Sequence, residues 1–299
     1  MFEPAPLVVE APPDVTALTA AAEQAAHAWR LPAPELIRVG ANGVFAAGAV
    51  ILRVGVCTAP MGKALAFAER LTAAGIRVAR PARTDWLDLA GGLSVTAWER
   101  IDFDPAGVID WERIGAMVAI IHDFDPATVD HPMPFCGDFP WWNFDAMLAE
   151  AEAVADADAL ATLRNAIANH AWWYERARGG DLVVCHGDVH PGNVLVAADG
   201  PVLIDWDLLC VGPPEWDHAA LVTWTARWGG AEGVYEAFAR GYAHAVDPEM
   251  LEAVAELRLV AATLMRLKRA RLDPAHRAEA EQRMRYWRGD PDAPMWRAQ

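Results

Sequence analysis

The sequence predicts an α+β protein in which strands cluster within the first hundred residues and helices dominate the rest. Three observations support this division. Short β-branched apolar runs alternate with glycine turns before residue 100, a pattern typical of strands. Beyond residue 110, apolar side chains recur mostly at helical spacing, and alanine is frequent. A second set of short apolar runs, within residues 182–204, interrupts this helical part and encloses a polar loop.

The amino-terminal elements follow from local patterns. Residues 1–14 carry four prolines and predict an extended arm. The alanine-rich segment Asp14–Trp29 predicts a helix. A second helix is predicted at Met61–Ala74, where Gly75 follows at the position typical of a helix-ending glycine. Strands are predicted at Leu36–Val39, Val44–Ala46, Val50–Val54 and near Ser94–Trp98.

Helices account for most of the predicted structure beyond residue 110. They are predicted at Asp110–Asp123, at Asp145–Arg178 with an interruption around Asp156–Asp158, and from His218 to about Trp287. The segment Asp125–Asn143 holds four prolines and predicts a loop. In the last helical region the buried stripe is predicted to consist of Leu257, Val260, Leu264 and Leu267.

The stretch from Asp181 to Asp207 organises the rest of the chain. Three runs too short and too β-branched for helices predict strands at Leu182–Cys185, Val194–Ala197 and Val202–Ile204. Asp199-Gly200 between the second and third run is a strong hairpin signal, because a tight primed turn needs positive φ. The loop His186–Asn193 joins the first two runs.

Three side chains of this stretch have the order and spacing of a phosphoryl-transfer site. Asp188 and Asn193 lie five positions apart in the loop, and Asp205 follows the third run. A kinase catalytic loop supplies an Asp that orients the attacking hydroxyl, an Asn five positions later that binds metal, and a second metal-binding Asp after the next hairpin. We therefore expect the three side chains to converge at neighbouring strand ends.

These residues resemble the aminoglycoside phosphotransferase family of kinase-like enzymes, whose loop reads HGDxHxxN. Here that loop is His186-Gly187-Asp188-Val189-His190-Pro191-Gly192-Asn193, and the family's short IDW element is Ile204-Asp205-Trp206. The resemblance implies a two-lobed protein-kinase-like fold. Its small lobe, with the amino-terminal arm, would span residues 1–97 and hold an antiparallel sheet, and a larger, mainly helical lobe would span residues 98–299.

The resemblance also implies a reaction and its machinery. The terminal phosphate of ATP or GTP would pass to a hydroxyl of a small molecule, with Mg²⁺ on the phosphates. Asp188 would orient and deprotonate that hydroxyl, and His186 would fix the loop. The metal would be held by Asn193 and Asp205, with Asp207 assisting at its edge.

Nucleotide contacts are implied in the amino-terminal part. Arg53 would clamp phosphate oxygens, since its planar fork pairs with them in a bidentate way. Asn42 and Gly43 fall in the loop that covers the nucleotide, and Trp98 and Glu99 fall in the hinge that contacts the adenine. The family helix carries a Glu that orients the strand cation. In this chain that position falls near Ala64, and Glu69 lies about one and a half turns farther along.

Other positions have a structural and a functional interpretation. Asp217 matches the family Asp that supports the catalytic loop through hydrogen bonds, and His122 is expected to pack or cap. Trp224 and Trp228 lie four residues apart on a predicted helix and are either core or a wall for a ring substrate. Four acidic residues either contact a cationic substrate or form a solvated helix face: Glu150, Glu152, Asp156 and Asp158.

Two alternative functions stay open at this stage, and a third fits the sequence less well. A metabolite kinase of the same fold, acting on choline, homoserine, a sugar or a fructosamine, has the same motifs. A non-catalytic nucleotide-binding regulatory module is a second alternative. His186, Asp188 and His190 are also spaced like metal ligands of a hydrolase, although the remaining histidines are scattered along the chain.

Composition limits the partners. The net charge of −16 disfavours nucleic acid and anionic membranes and favours a cationic substrate. The chain has no run of about 18 apolar residues, and its start lacks the basic and apolar regions of a signal peptide. Its four cysteines are irregularly spaced, which fits reduced thiols. We therefore expect a cytoplasmic enzyme that binds a nucleotide and a small hydroxylated substrate.

Overall fold

The computed structural model describes residues 14–40, 42–56, 61–128 and 133–297. The predicted amino-terminal arm, apart from Asp14, lies outside these residues, as do Ala41 and Cys57. The described chain divides into two compact units. The first contains the described residues up to Asp110 together with Asn193–Leu208, and the second contains Trp111–Thr128 and residues 133–192 and 209–297. The predicted boundary after residue 97, between a nucleotide-binding small lobe and a catalytic large lobe, stays a prediction.

Strands and helices are numbered here in chain order. Within the described residues the strands are β1 Glu35–Val39, β2 Gly43–Ala47, β3 Val50–Val56, β4 Leu87–Asp88, β5 Leu93–Glu99, β6 Val183–Cys185, β7 Val194–Ala197, β8 Gly200–Leu203 and β9 Cys210–Gly212. The α-helices are α1 Val15–Trp29, α2 Met61–Ala73, α3 Trp111–His122, α4 Phe144–Ala151, α5 Ala157–Asn169, α6 Trp173–Arg178, α7 Glu215–Val222, α8 Trp224–Trp228, α9 Val234–Tyr242, α10 Pro248–Leu272 and α11 Arg277–Trp287. This content confirms the predicted α+β class.

A five-stranded antiparallel sheet of order β1-β2-β3-β5-β4 forms the centre of the first unit. Helix α1 begins after Asp14, whose carboxylate accepts a hydrogen bond from the Thr16 N–H at 2.9 Å. The helix packs its alanine-rich face against buried sheet residues that include Leu52 and Val54. Because side chains alternate across a strand, Arg53 lies on the opposite face of β3.

The hairpin β7–β8 belongs to the same unit and has the predicted turn. Val194 pairs with Leu203, and Ala197 pairs with Gly200 across the turn. Gly200 has a φ of 126°, a backbone conformation that favours glycine. Leu203 also forms a parallel bridge to Val78, which joins the hairpin to the segment after α2. The third predicted run ends one residue earlier than expected, at Leu203.

The second unit is mainly helical around the 25-residue helix α10. The carboxylate of Asp247 caps its first turn by accepting hydrogen bonds from the Glu249 and Met250 N–H groups, and Pro248 occupies the first helical position. The predicted stripe is buried as expected at Leu257, Val260, Leu264 and Leu267. Strands β6 and β9 form a two-stranded antiparallel sheet in which Cys185 pairs with Cys210.

Helices α3 and α9 cross with almost no space between their backbones. A Cβ atom built on Gly241 would lie 1.7 Å from the Glu112 carbonyl oxygen. A Cβ atom built on Gly115 would lie 2.0 Å from the Phe238 carbonyl oxygen. The two glycines therefore set the distance between these helices.

Several short elements were not predicted. The region 145–178 holds three helices, with the break where Asp156 caps α5 by accepting a hydrogen bond from the Ala159 N–H. The predicted loop 125–143 contains three 3₁₀ turns: Pro126–Thr128, Cys136–Asp138 and Pro140–Trp142. Among the described helices, none is long and apolar enough to cross a membrane.

Candidate active site

Asn193 and Asp205 lie at the same end of the β7–β8 hairpin. The Asn193 carbonyl accepts a hydrogen bond from the Ile204 N–H at 3.0 Å, and the Asn193 side chain is buried. Asp205 has a φ of 70°, in the left-handed region that Asp tolerates better than most residues. Strain of this kind is often found at functional sites. The structure thus brings together these two predicted metal ligands within the first unit.

Arg53 extends its guanidinium to both aspartates of this segment. Its Nη2 lies 2.9 Å from Asp205 Oδ1, and its Nη1 and Nη2 lie 2.5 and 2.6 Å from Asp207 Oδ1 and Oδ2. Burial acts to lower the Arg53 pKa, but the two carboxylates more than offset it, so the pKa is raised and the side chain is fully charged. One cation thus faces two carboxylates.

The arginine does not depend on a glutamate from helix α2. Ala64 is buried at the position expected for that glutamate, and Glu69 is exposed. Asp205 and Asp207 provide the counter-charges. Glu69 is therefore a surface residue.

A pocket lies against the Arg53 face of the sheet. It is lined by Asn42, Arg53, Gly55, Val56, Ala64, Thr96, Trp98 and Asp207. The Asn42 amide donates to Asp207 Oδ2 at 3.4 Å. A Cβ atom on Gly55 would lie 1.7 Å from Asn42 Oδ1, so this glycine makes room for the amide. Sequence reasoning missed Gly55.

The other predicted nucleotide contacts occupy different positions. Trp98 is buried in the pocket wall, and its indole N–H donates to Thr96 Oγ1 at 2.9 Å. Glu99 is exposed at the end of β5, and its backbone N–H donates to the Arg80 carbonyl at 2.9 Å. Gly43 allows close packing, because a Cβ atom there would lie 2.9 Å from the Phe45 ring. Gly43 and Glu99 do not line the described pocket.

The side-chain oxygens around Asp205 are of the type that binds a hard divalent cation. Asn193, Asp205 and Asp207 offer amide and carboxylate oxygens, the ligands that Mg²⁺ prefers. Burial raises the pKa of the Asp207 carboxyl, Arg53 opposes this shift, and Asp205 adds to it. The neighbouring carboxylates of Asp205 and Asp207 repel each other, and a bound divalent cation would reduce this repulsion.

Asp217 supports the loop that begins at His186, within the second unit. Its Oδ2 and Oδ1 accept hydrogen bonds from the His186 and Gly187 N–H groups, both at 2.8 Å. His122 Nε2 lies 3.1 Å from Asp217 Oδ2, and its Nδ1 lies 2.7 Å from the Tyr242 hydroxyl. Burial acts to raise the Asp217 pKa, but the His122 hydrogen bond and other contacts lower it overall. The expected hydrogen bonds between Asp217 and the loop are therefore present. His122 packs against Asp217.

Asp188 projects from this loop into a positively charged environment. Arg258 Nη2 lies 2.8 Å from Asp188 Oδ1, and His190 Nε2 lies 3.4 Å from Asp188 Oδ2. The buried His186 ring accepts a hydrogen bond from the Asp188 N–H through Nδ1 at 3.2 Å. Burial acts to raise the Asp188 pKa, but His190, Arg258 and His186 lower it well below its usual range. The carboxylate is therefore ionised at neutral pH.

An aromatic stack lies beside the loop. His190 stacks on Trp224 with ring centroids 6.1 Å apart, and Trp224 stacks on Trp228 at the same distance. Trp228 also meets the buried ring of Trp296 edge to face. Both tryptophans are partly exposed. Trp228 packs against the hydrophobic core that includes Trp296, and Trp224 remains a candidate to contact a ring substrate.

Three of the four acidic residues considered as substrate contacts are already paired within the protein. Glu150 bonds to Lys268 and Arg271 at 2.9 and 3.0 Å, and Glu152 bonds to Arg164 at 2.7 Å. The Asp156 carboxylate accepts a hydrogen bond from Arg288 Nε at 3.0 Å. These contacts favour the structural interpretation for the three residues.

The hydrolase-type metal site is not formed within the described residues. His190 Nε2 lies 3.4 Å from Asp188 Oδ2, but His186 does not complete a group of three ligand atoms with them. Among the described His, Cys, Asp and Glu side chains, the one group of three close enough to hold an ion is His122, Cys185 and Asp217. Asp217 and His122 in that group are engaged in the hydrogen bonds that support the loop.

Comparison with known proteins places the chain in a family. The model of the phosphotransferase enzyme family matches residues 51–257, well over half of the chain. The chain belongs to that family. It is therefore a small-molecule phosphotransferase, as the motifs predicted. None of the curated proteins searched matches this chain.

Solved structures share the fold at low sequence identity. An amicoumacin kinase in complex with AMP-PNP and Ca²⁺ is 13% identical, with a TM-score of 0.69 over 94% of this chain and 97% of the other. A thermostable mutant of aminoglycoside phosphotransferase APH(4)-Ia is 17% identical, with a TM-score of 0.65 over 91% and 100%. Choline kinase LicA from Streptococcus pneumoniae is 16% identical, with a TM-score of 0.59 over 89% and 97%. These similarities confirm the protein-kinase-like fold.

Proposed function

We propose that this phosphotransferase moves the terminal phosphate of ATP or GTP to a hydroxyl of a small molecule. The observation that carries the proposal is the ionised Asp188 carboxylate on a loop whose backbone is tied to buried Asp217. A fixed carboxylate of this kind orients an acceptor hydroxyl, and positioning supplies most of the catalysis in phosphoryl transfer.

The roles follow from the chemistry of the transfer. The acceptor oxygen forms a bond to the γ-phosphorus, the bond to the β–γ bridging oxygen breaks, and ADP or GDP leaves. The hydroxyl proton passes to Asp188. A strongly ionised carboxylate is a weak base, which suits a loose transition state in which the proton leaves late. His186 keeps the loop in shape through its bond to the Asp188 N–H.

Asn193, Asp205 and Asp207 would hold Mg²⁺, which neutralises charge on the nucleotide phosphates when it is bound. Arg53 would bind phosphate oxygens, and its place in the pocket wall supports this role. Asn42 and Trp98 line the same pocket and are proposed nucleotide contacts, whereas Gly43 and Glu99 rest on the sequence pattern. The fold neighbour in complex with AMP-PNP and Ca²⁺ supports a nucleotide with a divalent ion.

The acceptor is proposed to be cationic, such as an aminoglycoside-type antibiotic, and the role to be antibiotic resistance. The net charge of −16 supports a cationic acceptor and argues against nucleic acid or an anionic membrane as a partner. A metabolite kinase is the second candidate, since a choline kinase shares the fold. The described cysteines are buried and free, which supports the proposed cytoplasmic location.

The proposal is tested by mass-spectrometric detection of a gain of one phosphate. A panel of hydroxylated amines, sugars and antibiotics is incubated with MgATP or MgGTP. We expect Asp188→Asn to lower turnover about 10²–10⁴-fold while MgATP affinity is kept. The matched control is Asp199→Asn in the exposed hairpin turn, which should leave turnover unchanged. Full turnover in Asp188→Asn would contradict the assigned role.

The metal assignment is tested with Asp205→Asn, because Asn also tolerates the left-handed backbone. We expect the magnesium-dependent part of ATP affinity to be lost, measured by calorimetry with and without EDTA. An unchanged MgATP affinity would remove Asp205 from the metal site. Tight MgATP binding without product from any acceptor would favour a regulatory nucleotide-binding module.

A further inference from the structure

Arg258 of helix α10 contacts the catalytic loop at two points. Its Nη2 donates to Asp188 Oδ1 at 2.8 Å, and its Nη1 donates to the Gly187 carbonyl at 3.1 Å. We propose that Arg258 is a positioning residue that fixes the orientation and the charge of the Asp188 carboxylate. This inference rests on the proposed function of Asp188. Arg258 follows directly after the residues matched by the family model.

The arginine reaches the loop from a rigid support. Its neighbours Leu257 and Leu259 are buried in the packed face of α10. The Arg258 side chain is only 19% exposed, and its guanidinium lies 5.9 Å from the centre of the buried Trp216 ring. A side chain held on a buried helix loses little further freedom when it forms hydrogen bonds, so it fixes the carboxylate at low entropic cost.

The charges around Asp188 give Arg258 a distinct role. The Gly192 N–H donates to His190 Nδ1 at 3.0 Å, which leaves the proton of a neutral ring on Nε2, facing Asp188. His186 likewise accepts a hydrogen bond through Nδ1. A histidine ring carries no permanent charge, whereas an arginine guanidinium does.

The two carboxylate oxygens are thereby divided between two tasks. Oδ1 is occupied by Arg258, which sets the plane of the carboxylate. Oδ2 faces His190 and is the oxygen that would accept the bond from the acceptor hydroxyl. Loss of Arg258 would free the carboxylate to rotate, and a misplacement of about 1 Å is enough to cost about 10²-fold in rate.

The test compares Arg258→Gln and Arg258→Lys with Arg271→Gln on the same helix. Arg271 pairs with Glu150 at the surface and serves as the matched control. We expect Arg258→Gln to lower kcat about 10–100-fold with MgATP affinity unchanged. Arg258→Lys should restore part of kcat, and Arg271→Gln should change neither kcat nor MgATP affinity.

A double variant separates this inference from the proposed function. If Arg258 acts through Asp188, adding Arg258→Gln to Asp188→Asn should cause no further loss of turnover. Without reference to activity, the fall in Tm caused by Arg258→Gln should be at least halved in the Asp188→Asn background. An unchanged kcat in Arg258→Gln, or an equal fall in Tm in both backgrounds, would overturn the positioning role. Full activity of Asp188→Asn would instead overturn the proposed function. The Tm comparison would then still show whether Arg258 and Asp188 stabilise each other.

Discussion

His218 is a buried histidine held in its neutral form. Its ring meets Phe238 and Tyr242 edge to face, at 4.9 and 4.4 Å between centroids. Its Nε2 is buried without a hydrogen-bond partner. Burial lowers the His218 pKa to about 4, His122 lowers it further, and Asp217 opposes the shift. A proton on this ring therefore opposes folding.

This histidine predicts a pH-dependent stability. Between pH 6.5 and 4 the unfolded chain binds a proton at this position and the folded chain does not, so the free energy of unfolding falls as pH falls. The loss reaches about 3 kcal/mol at pH 4. Asp188 and Asp217, whose pKa values are lowered, lose their contributions only below about pH 4, outside this window.

His218→Phe keeps an aromatic ring in place and removes the titration. We expect urea unfolding of this variant to depend less on pH between 6.5 and 4.5 than that of the wild type. His244→Gln at an exposed position is the control and should behave like the wild type. If the free energy of unfolding falls equally with pH in the wild type and in His218→Phe, a group other than His218 causes the pH dependence.

At the residue scale the sequence predicted the motif and missed its neighbours. The hydrogen bonds that Asp217 accepts from the loop were expected, because Asp217 matches the family position that supports this loop. The partners of Arg53 were not, since Asp205 lies 152 positions away and only the folded sheet brings the two together. Arg258 lies 70 positions from Asp188 and has no motif of its own.

The crossing of α3 and α9 is the element on which the loop support depends. Helix α3 ends at His122 and α9 ends at Tyr242, and these two side chains meet at 2.7 Å. The crossing is close because Gly115 and Gly241 carry no Cβ atom. A wider crossing would separate His122 from Tyr242 and disturb Asp217.

Gly241→Ala should therefore destabilise the protein, although alanine favours an isolated helix by about 1 kcal/mol over glycine. Overpacking at a backbone contact costs typically about 1–3 kcal/mol. Guanidinium unfolding measures the loss, and kcat should fall with it. Gly40→Ala, where a Cβ atom would meet nothing within 4 Å, is the control. A Gly241→Ala protein as stable as the wild type would show that the helices shift apart freely.

Long periodic elements were predictable and short ones were not. The hairpin β7–β8 was found because glycine at its turn and β-branched runs on both sides agree. Strands β4 and β9, with two and three residues, carry no readable alternation. The six-residue helix α6 depends on contacts of its tryptophan with the aromatic cluster around Trp142 and Trp216, which local propensity does not report.

At the scale of the whole molecule, the net charge of −16 acts on any charged substrate before contact. For a cationic acceptor we expect kcat/KM to fall several-fold as salt rises from about 20 to 300 mM, since the Debye length shortens over this range. For a neutral acceptor, used as the control, it should stay nearly constant. The same salt response for both acceptors would exclude steering by the net charge.

The fold of the whole chain and its family could be predicted, and the acceptor could not. The loop motif and the Ile204-Asp205-Trp206 element lie within the family match at residues 51–257. The same fold serves kinases of antibiotics and of choline, so the fold does not select a substrate. Trp224 and the charges around Asp188 are features of this chain, and they are the positions at which its acceptor preference can be tested.

Arg53 holds the same two carboxylates that the proposed mechanism assigns to Mg²⁺. An ion that arrives alone must compete with this arginine, whereas nucleotide phosphates offer the arginine a new partner. If the proposed function holds, metal and nucleotide affinities would be linked, and reciprocity would require each ligand to strengthen binding of the other by the same factor. In the structure the tethered Arg53 guanidinium shields the two carboxylates from each other.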